Sequence, residues 1–136
     1  MPLADEAIVD RLIADPLFAP LPAPTIERLA RTVEPVVVAA GAVAITEGAI
    51  GDRYYLLTDG LANVTIDGAN RRQLAPGSSF GEIALLRDVP RTATVTAITD
   101  LRLLAVPRNA FLEAVTGHPR SRRAADATVD RFLGNE

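Results

Sequence analysis

One acid and one arginine flank a mostly apolar stretch in the middle of the chain. In FGEIALLRDVPRTATV, residues 80–95, Glu82 follows a glycine and Arg91 follows a proline. Charged side chains are rarely buried without a partner, because an unpaired buried charge is strongly destabilising. An acid and a base in this setting therefore indicate a binding function as well as packing.

Arg91 is predicted to begin a strand, because Pro90 forces the residue before it toward extended geometry. Side chains on a strand alternate between its two faces. On this pattern Arg91 heads the apolar, inward-facing row that continues with Ala93, Val95 and Ala97. A guanidinium in that row needs an anionic or hydrogen-bonding partner.

Glu82 is predicted to open one or two helical turns, residues 82–86, after the loop glycine Gly81. The first N–H groups of a helix have no intrahelical acceptor and attract an anion, and glycine lets a ligand approach the backbone. With Arg91 facing the same pocket, a phosphate site results. A bound anion repels Glu82, which is therefore expected to accept a hydrogen bond from a ligand hydroxyl. The ribose phosphate of a nucleotide satisfies all three elements.

The composition of the chain argues against several classes of function. The 136 residues, 49% hydrophobic and 23% charged, predict one globular domain, and the net charge of −3 argues against nucleic-acid binding by bulk electrostatics. No stretch approaches eighteen apolar residues and the N-terminus lacks the features of a signal peptide, so neither membrane insertion nor export is expected and the location is predicted to be cytoplasmic. Cysteine is absent and the single histidine, His118, is interpreted as a surface residue, so no metal site is predicted.

Helical spacing of apolar residues predicts helices over residues 4–14 and 25–32. The proline-rich connector between them carries three side chains expected to pack, Leu17, Phe18 and Leu21.

The apolar period then changes to two, and short strands follow one another with hairpin-type turn signals at Asp59-Gly60 and Asp67-Gly68. Helical spacing returns over residues 109–116 and from Ser121 to about Leu133.

The expected fold class is α+β and mainly β, an antiparallel β jelly-roll barrel flanked by N-terminal helices and two C-terminal helices. Its three parts are predicted as residues 1–33, 34–107 with a phosphate-binding segment at 80–93, and 108–136. Together they are interpreted as a single domain.

The motif FGEIALL…PRTA resembles the phosphate-binding cassette of cyclic nucleotide-binding domains. That family includes the regulatory subunits of cyclic-AMP-dependent kinase, the catabolite activator protein and cyclic-nucleotide-gated channels. The upstream stretch EGAIGDRYYLLTDGLANV is similar to the family's E-G-x-x-G-D-x-x-Y…G pattern, and the resemblance covers about residues 17–133.

The resemblance implies a role for each cassette residue. Glu82 would bind the ribose 2′-hydroxyl with help from the Gly81 backbone, and Arg91 would pair with the cyclic phosphate. The backbone N–H groups of Ala84 and Thr92 would complete the phosphate cradle. The full ligand-binding set is Gly81, Glu82, Ile83, Ala84, Leu85, Arg91, Thr92 and Ala93.

In this family the last helix moves onto the base when ligand binds. The resemblance therefore makes Val129, Phe132 and Leu133 a candidate base lid, although the same stripe fits core packing or a dimer contact. Arg122 and Arg123 are candidate stacking partners, and with Arg120 they equally fit a solvated helix face.

The resulting prediction is a non-catalytic sensor without cofactors, whose ligand is cyclic AMP, or cyclic GMP as Thr92 would permit. The effector is expected to be another domain or protein, because the chain ends at Glu136, and a bacterial transporter or channel is the expected source. A homodimer through the C-terminal helix is a further expectation.

Two other interpretations stay open. In the first, Glu82 and Arg91 form a buried ion pair that closes the barrel; in the second, a degenerate domain keeps the motif but serves as a ligand-free interaction module. A cupin-type enzyme is disfavoured, because such sites need several histidines. Tyr54 and Tyr55 are expected to pack in or on the barrel rather than to stack on a base.

Overall fold

A computed structural model describes residues 6–117, which fall into two compact units. One unit is Glu34–Ala105, and the described part of the other is residues 6–33 and 106–117. The helices are α1 (Glu6–Ala14), α2 (Ala23–Ala30), α3 (Glu82–Arg87) and α4 (Arg108–Thr116). The strands are β1 (Glu34–Val38), β2 (Val43–Ile45), β3 (Arg53–Asp59), β4 (Ala62–Ile66), β5 (Ala69–Leu74), β6 (Ser79–Phe80), β7 (Thr94–Ala97) and β8 (Leu101–Pro107).

Three of the described helices lie where the apolar spacing predicted them. α1, α2 and α4 match the predictions for residues 4–14, 25–32 and 109–116 to within about two residues at each described end. α2 starts at Ala23, before the predicted residue 25, because proline is favoured in the first turn of a helix. Pro24 has no N–H group, and the N–H groups of the first turn have no intrahelical acceptor. None of the helices described between residues 6 and 117 is long and apolar enough to cross a membrane.

The connector after α1 is packed, as predicted. Leu17, Phe18 and Leu21 are all buried, and the Phe18 ring meets the Phe111 ring edge-on at 6.0 Å between centroids. The buried Asp15 carboxylate accepts a hydrogen bond from the Leu17 backbone N–H at 2.8 Å, which shapes the exit from α1.

The eight strands form two antiparallel sheets with the orders β1-β8-β3-β6 and β2-β7-β4-β5. Fold class α+β, mainly β, is confirmed. The described strands make two separate four-stranded sheets rather than a closed barrel, because no ladder joins an outer strand of one sheet to an outer strand of the other. Their shared core includes Tyr55, Leu57, Phe80, Val95 and Leu103.

One of the two predicted hairpin turns is a hairpin. Asp67 and Gly68 both have positive φ and join β4 to β5, with Ile66 paired to Ala69. Asp59-Gly60 instead carries the chain from one sheet to the other, and the hairpin expected there was wrong. The reason lies at Leu61, whose carbonyl accepts from the Ile98 N–H at 2.8 Å and so directs β4 to pair with β7.

The strand predicted to begin at Arg91 begins at Thr94. The predicted alternation holds beyond that point, since Val95 and Ala97 are buried while Thr94 and Thr96 are half-buried. Arg91 itself lies in the connection between α3 and β7.

Candidate ligand-binding site

Arg91 is buried, with 4% of its surface exposed, and its guanidinium faces oxygen atoms. Nη1 donates to the Gly81 carbonyl at 3.0 Å and Nη2 donates to the Arg53 carbonyl at 2.8 Å. The planar fork of an arginine can serve both carbonyls at once. The guanidinium is therefore held in one orientation by the chain segments that enter α3 and β3.

The main chain of Arg91 is held as firmly. Its N–H donates to the Ala49 carbonyl at 2.7 Å, and its own carbonyl accepts from the Gly48 N–H at 2.8 Å. These bonds go to the loop between β2 and β3, outside the strand ladder, which explains why β7 starts three residues later than predicted.

Burial lowers the pKa of Arg91, chiefly by removing water from the cation, while electrostatic interactions with Tyr55, Asp52 and Glu82 favour the protonated form. Asp52 lies 3.8 Å from Nη2, but 70% of its side chain is exposed, so solvent weakens this ion pair. The surrounding carbonyls are neutral. Arg91 thus keeps a positive charge, with Asp52 and Glu82 as the carboxylates that act on it.

Glu82, the first residue of α3, is as buried as Arg91, with 4% of its surface exposed. The two charges predicted to share a pocket are close enough for Glu82 to favour protonated Arg91. Gly81 caps α3 in the left-handed region, with φ at 99°. The N–H groups of the first turn of α3 have no intrahelical acceptors and lie next to the carbonyl that binds Arg91.

Two glycines leave room for this arrangement. A Cβ atom on Gly81 would come within 2.8 Å of Nη1 of Arg91, and its positive φ also disfavours any side chain. A Cβ atom on Gly51 would lie 2.6 Å from the Cβ of Ala84 and 3.2 Å from Cζ of Arg91. Both glycines therefore allow α3 and Arg91 to approach the neighbouring loop closely.

The two tyrosines of β3 pack in the protein, as predicted. Tyr55 stacks on Phe80 with 5.1 Å between ring centroids, and Arg53 lies over the Tyr55 ring at 5.6 Å. The Tyr54 hydroxyl donates to Ser79 Oγ at 2.6 Å. These contacts fix β6, and with it the start of α3, against β3.

The other residues of the predicted set lie in α3 and in the connection from α3 to β7. Ala84 and Leu85 are buried, whereas Ile83, Thr92 and Ala93 are half-buried. The candidate lid (Val129, Phe132, Leu133), Arg122, Arg123 and His118 lie outside the described residues. Among residues 6–117, no cluster of three or more His, Cys, Asp and Glu side chains could hold a metal ion.

Sequence reasoning did not assign Gly51, Asp52 and Arg53 to the site, although Asp52 and Arg53 contact Arg91 and a side chain at Gly51 would crowd it. The signal that could have found them was the EGAIGDR stretch, which the family resemblance already included. A backbone carbonyl acceptor such as that of Arg53 has no residue-type signature at all.

This geometry combines an oriented cation, the N–H groups of a helix start and a buried carboxylate. A family model described as cyclic nucleotide-binding domain matches residues 35–118. The chain belongs to this family.

Three similar proteins illustrate the relationship. A cAMP-dependent protein kinase regulatory subunit of Yarrowia lipolytica is 43% identical over 86 residues, which cover 62% of this chain and 23% of that protein. A cyclic nucleotide-gated potassium channel of Rhizobium etli is 36% identical over 93 residues, covering 68% of this chain and 26% of the channel. The regulatory domain of Toxoplasma gondii PKA, solved with cAMP, has a TM-score of 0.78 and 29% identity, covering 94% of this chain and 49% of that one.

The chain thus spans about a quarter of the length of the curated relatives it matches. Those relatives are named as a regulatory subunit and a channel. The bacterial origin expected from the sequence stays a prediction.

Proposed function

We propose that this chain is a non-catalytic regulatory domain that binds cyclic AMP at Gly81, Glu82, Ile83, Ala84, Leu85, Arg91, Thr92 and Ala93. The observation that carries the proposal is the fixed, buried guanidinium of Arg91. A preorganised cation binds an anion without first paying the entropy of ordering its side chain. A cyclic phosphate, with its single negative charge, matches that site.

Glu82 and the backbone complete the recognition. The buried carboxylate accepts a hydrogen bond from the ribose 2′-hydroxyl, and a charge-assisted bond of this kind is stronger than a neutral one. The N–H groups of Ala84 and Thr92 bind the phosphate oxygens, and Leu85 and Ala93 flank the sugar phosphate. A nucleotide with both groups is selected over one that lacks either.

Cyclic AMP is preferred to cyclic GMP in this proposal. Support comes from the Yarrowia lipolytica relative, named for its cAMP dependence, and from the Toxoplasma gondii domain solved with cAMP. Thr92 is half-buried beside Arg91, where a hydroxyl would also suit the 2-amino group of guanine.

Binding is passed on by movement of the C-terminal helices, with Val129, Phe132 and Leu133 closing over the base. Residues 1–33, 34–107 and 108–136 act as a single domain, and the effector is a further domain or a separate protein. A membrane channel or transporter is one such effector, which the likeness to a Rhizobium etli channel supports.

Calorimetric titration of the chain with cyclic AMP, cyclic GMP and 5′-AMP tests the proposal. Saturable binding of cyclic AMP at micromolar or lower concentration is expected, with weaker binding of cyclic GMP and none of 5′-AMP. Arg91→Ala should remove the signal, whereas Asp59→Ala, at an exposed ion pair with Arg102, should keep it. Absence of heat with folded, nucleotide-free wild-type protein would reject this function.

One observation favours a ligand-free interaction module as the second candidate. Two carbonyls and Asp52 already contact the Arg91 guanidinium, so the cation has partners without a ligand. The same titration separates the two functions, because a module of this kind stays indifferent to every cyclic nucleotide.

A further inference from the structure

The loop between β2 and β3, residues 46–52, contains Glu47, a half-buried residue outside the proposed ligand-binding set. Its carboxylate Oε1 accepts a hydrogen bond from the Asp67 backbone N–H at 3.1 Å. Its own backbone N–H donates to the Thr94 hydroxyl at 3.0 Å. Glu47 therefore joins this loop to the β4–β5 turn and to the first residue of β7.

The residues that follow Glu47 are those that hold Arg91. Gly48 and Ala49 bind its main-chain carbonyl and N–H at 2.8 and 2.7 Å. At the end of the same segment, the Arg53 carbonyl accepts from the guanidinium. Residues 47–53 thus fix both the backbone and the side chain of Arg91.

Burial contributes little to holding the part of this loop that follows Glu47, residues 48–50. Gly48, Ala49 and Ile50 are all exposed, and Ile50 keeps 86% of its surface in solvent. The two-residue turn at Asp67, in contrast, is fixed by the pairing of β4 with β5. The hydrogen bond from Asp67 to Glu47 therefore connects an exposed loop to a turn that strand pairing holds in place.

We propose that Glu47 is a positioning residue for Arg91. Its carboxylate holds residues 47–53 against the β4–β5 turn, and this segment sets the place at which Arg91 presents its guanidinium. The effect on ligand affinity rests on the function proposed above, whereas the effect on the ligand-free protein does not.

Amide hydrogen exchange of the ligand-free full chain, followed by NMR, tests the positioning. In Glu47→Ala, the Arg91 and Gly48 amides should exchange about tenfold faster, because the loop opens more often. The Ala97 amide, bonded to the Ala42 carbonyl at 2.8 Å at the far end of β7, should keep its rate. Glu47→Gln retains an oxygen acceptor and should lie close to wild type.

Asp59→Ala is the matched control, because it removes an acid from an exposed ion pair in the same unit. It should leave the exchange of Arg91 unchanged. If Glu47→Ala also leaves Arg91 exchange unchanged, the inference is wrong. Equal acceleration at Arg91 and Ala97 would indicate general loosening of the sheet and would also overturn it.

Cyclic AMP affinity supplies the second readout. Glu47→Ala should weaken binding about tenfold in the wild-type background and at most about threefold in the Arg91→Lys background, because coupled residues are non-additive. Equal losses in both backgrounds would contradict the coupling. If the wild type binds no cyclic nucleotide, the proposed function fails and the exchange rates alone decide on Glu47.

Discussion

The guanidinium of Arg91 has exchanged most of its water for two peptide carbonyls and one exposed carboxylate. Carbonyls orient a cation through their dipoles but leave its net charge intact, and a charge in a low-dielectric setting attracts an anion strongly. The same loss of water lowers the pKa of Arg91. A bound phosphate would give the cation a favourable electrostatic interaction in place of the hydration that burial removed.

Replacing Arg91 by lysine tests the planar fork. A single ammonium group cannot reproduce two parallel donors to Gly81 and Arg53 while also binding an anion. We expect Arg91→Lys to weaken cyclic AMP binding by about 10- to 100-fold, the loss of one or two charge-assisted hydrogen bonds. Calorimetry measures it, and unchanged affinity would show that charge alone suffices.

Glu82→Gln tests the proposed bond to the ribose. Glutamine keeps the shape but loses the charge, so cyclic AMP should bind about tenfold more weakly. The 2′-deoxy analogue of cyclic AMP lacks the hydroxyl and should bind wild type and variant about equally. A similar loss with both nucleotides would mean that Glu82 acts on Arg91 instead of on the ribose.

At the scale of the structural elements, two segments position Arg91: the connection from β6 to α3 and the loop that precedes β3. Glycine permits the close packing of these segments at Gly51, where a Cβ would overlap Ala84 and crowd Arg91. We expect Gly51→Ala to cost about 1–3 kcal/mol of unfolding free energy, as overpacking does, and to weaken ligand binding. Denaturant unfolding and calorimetry measure both effects.

Ile50→Ala is the control for that change. It alters the adjacent residue, whose side chain is 86% exposed, and should leave stability and affinity near wild type. If Gly51→Ala behaves like Ile50→Ala, the loop can shift away from α3 freely and the proposed close packing has no functional weight.

The elements that the sequence predicted well are those with local signals. Apolar spacing located α1 and α4, and the Asp67-Gly68 dipeptide located a hairpin. The same Asp-Gly signal at Asp59-Gly60 misled, because strand partners there are chosen by distant residues such as Ile98. Strand alternation predicted an inward-facing Arg91, which is buried although it lies before β7, but the carbonyls that hold it could not be read from residue types.

For the molecule as a whole, the described residues of the candidate site all lie in the unit Glu34–Ala105. The other unit contains α1, α2 and α4. If the chain unfolds as a single cooperative domain, a ligand that binds one unit must also stabilise the other unit against unfolding. This requirement provides a test that needs no partner protein.

The chain carries its own probes for that test. The chain has no tryptophan, and both of its tyrosines lie in β3, so tyrosine fluorescence reports on that strand. Most of the helical signal from the described residues comes from α1, α2 and α4. Cyclic AMP at a hundred times its Kd should add about 2.7 kcal/mol and raise the Tm by about 10 °C. We expect the Tm values measured by tyrosine fluorescence and by far-ultraviolet circular dichroism to rise together in wild type. Neither Tm should rise in Arg91→Ala. A shift confined to tyrosine fluorescence would show that the units unfold independently, and the sensor would then need an effector that contacts the sheets directly.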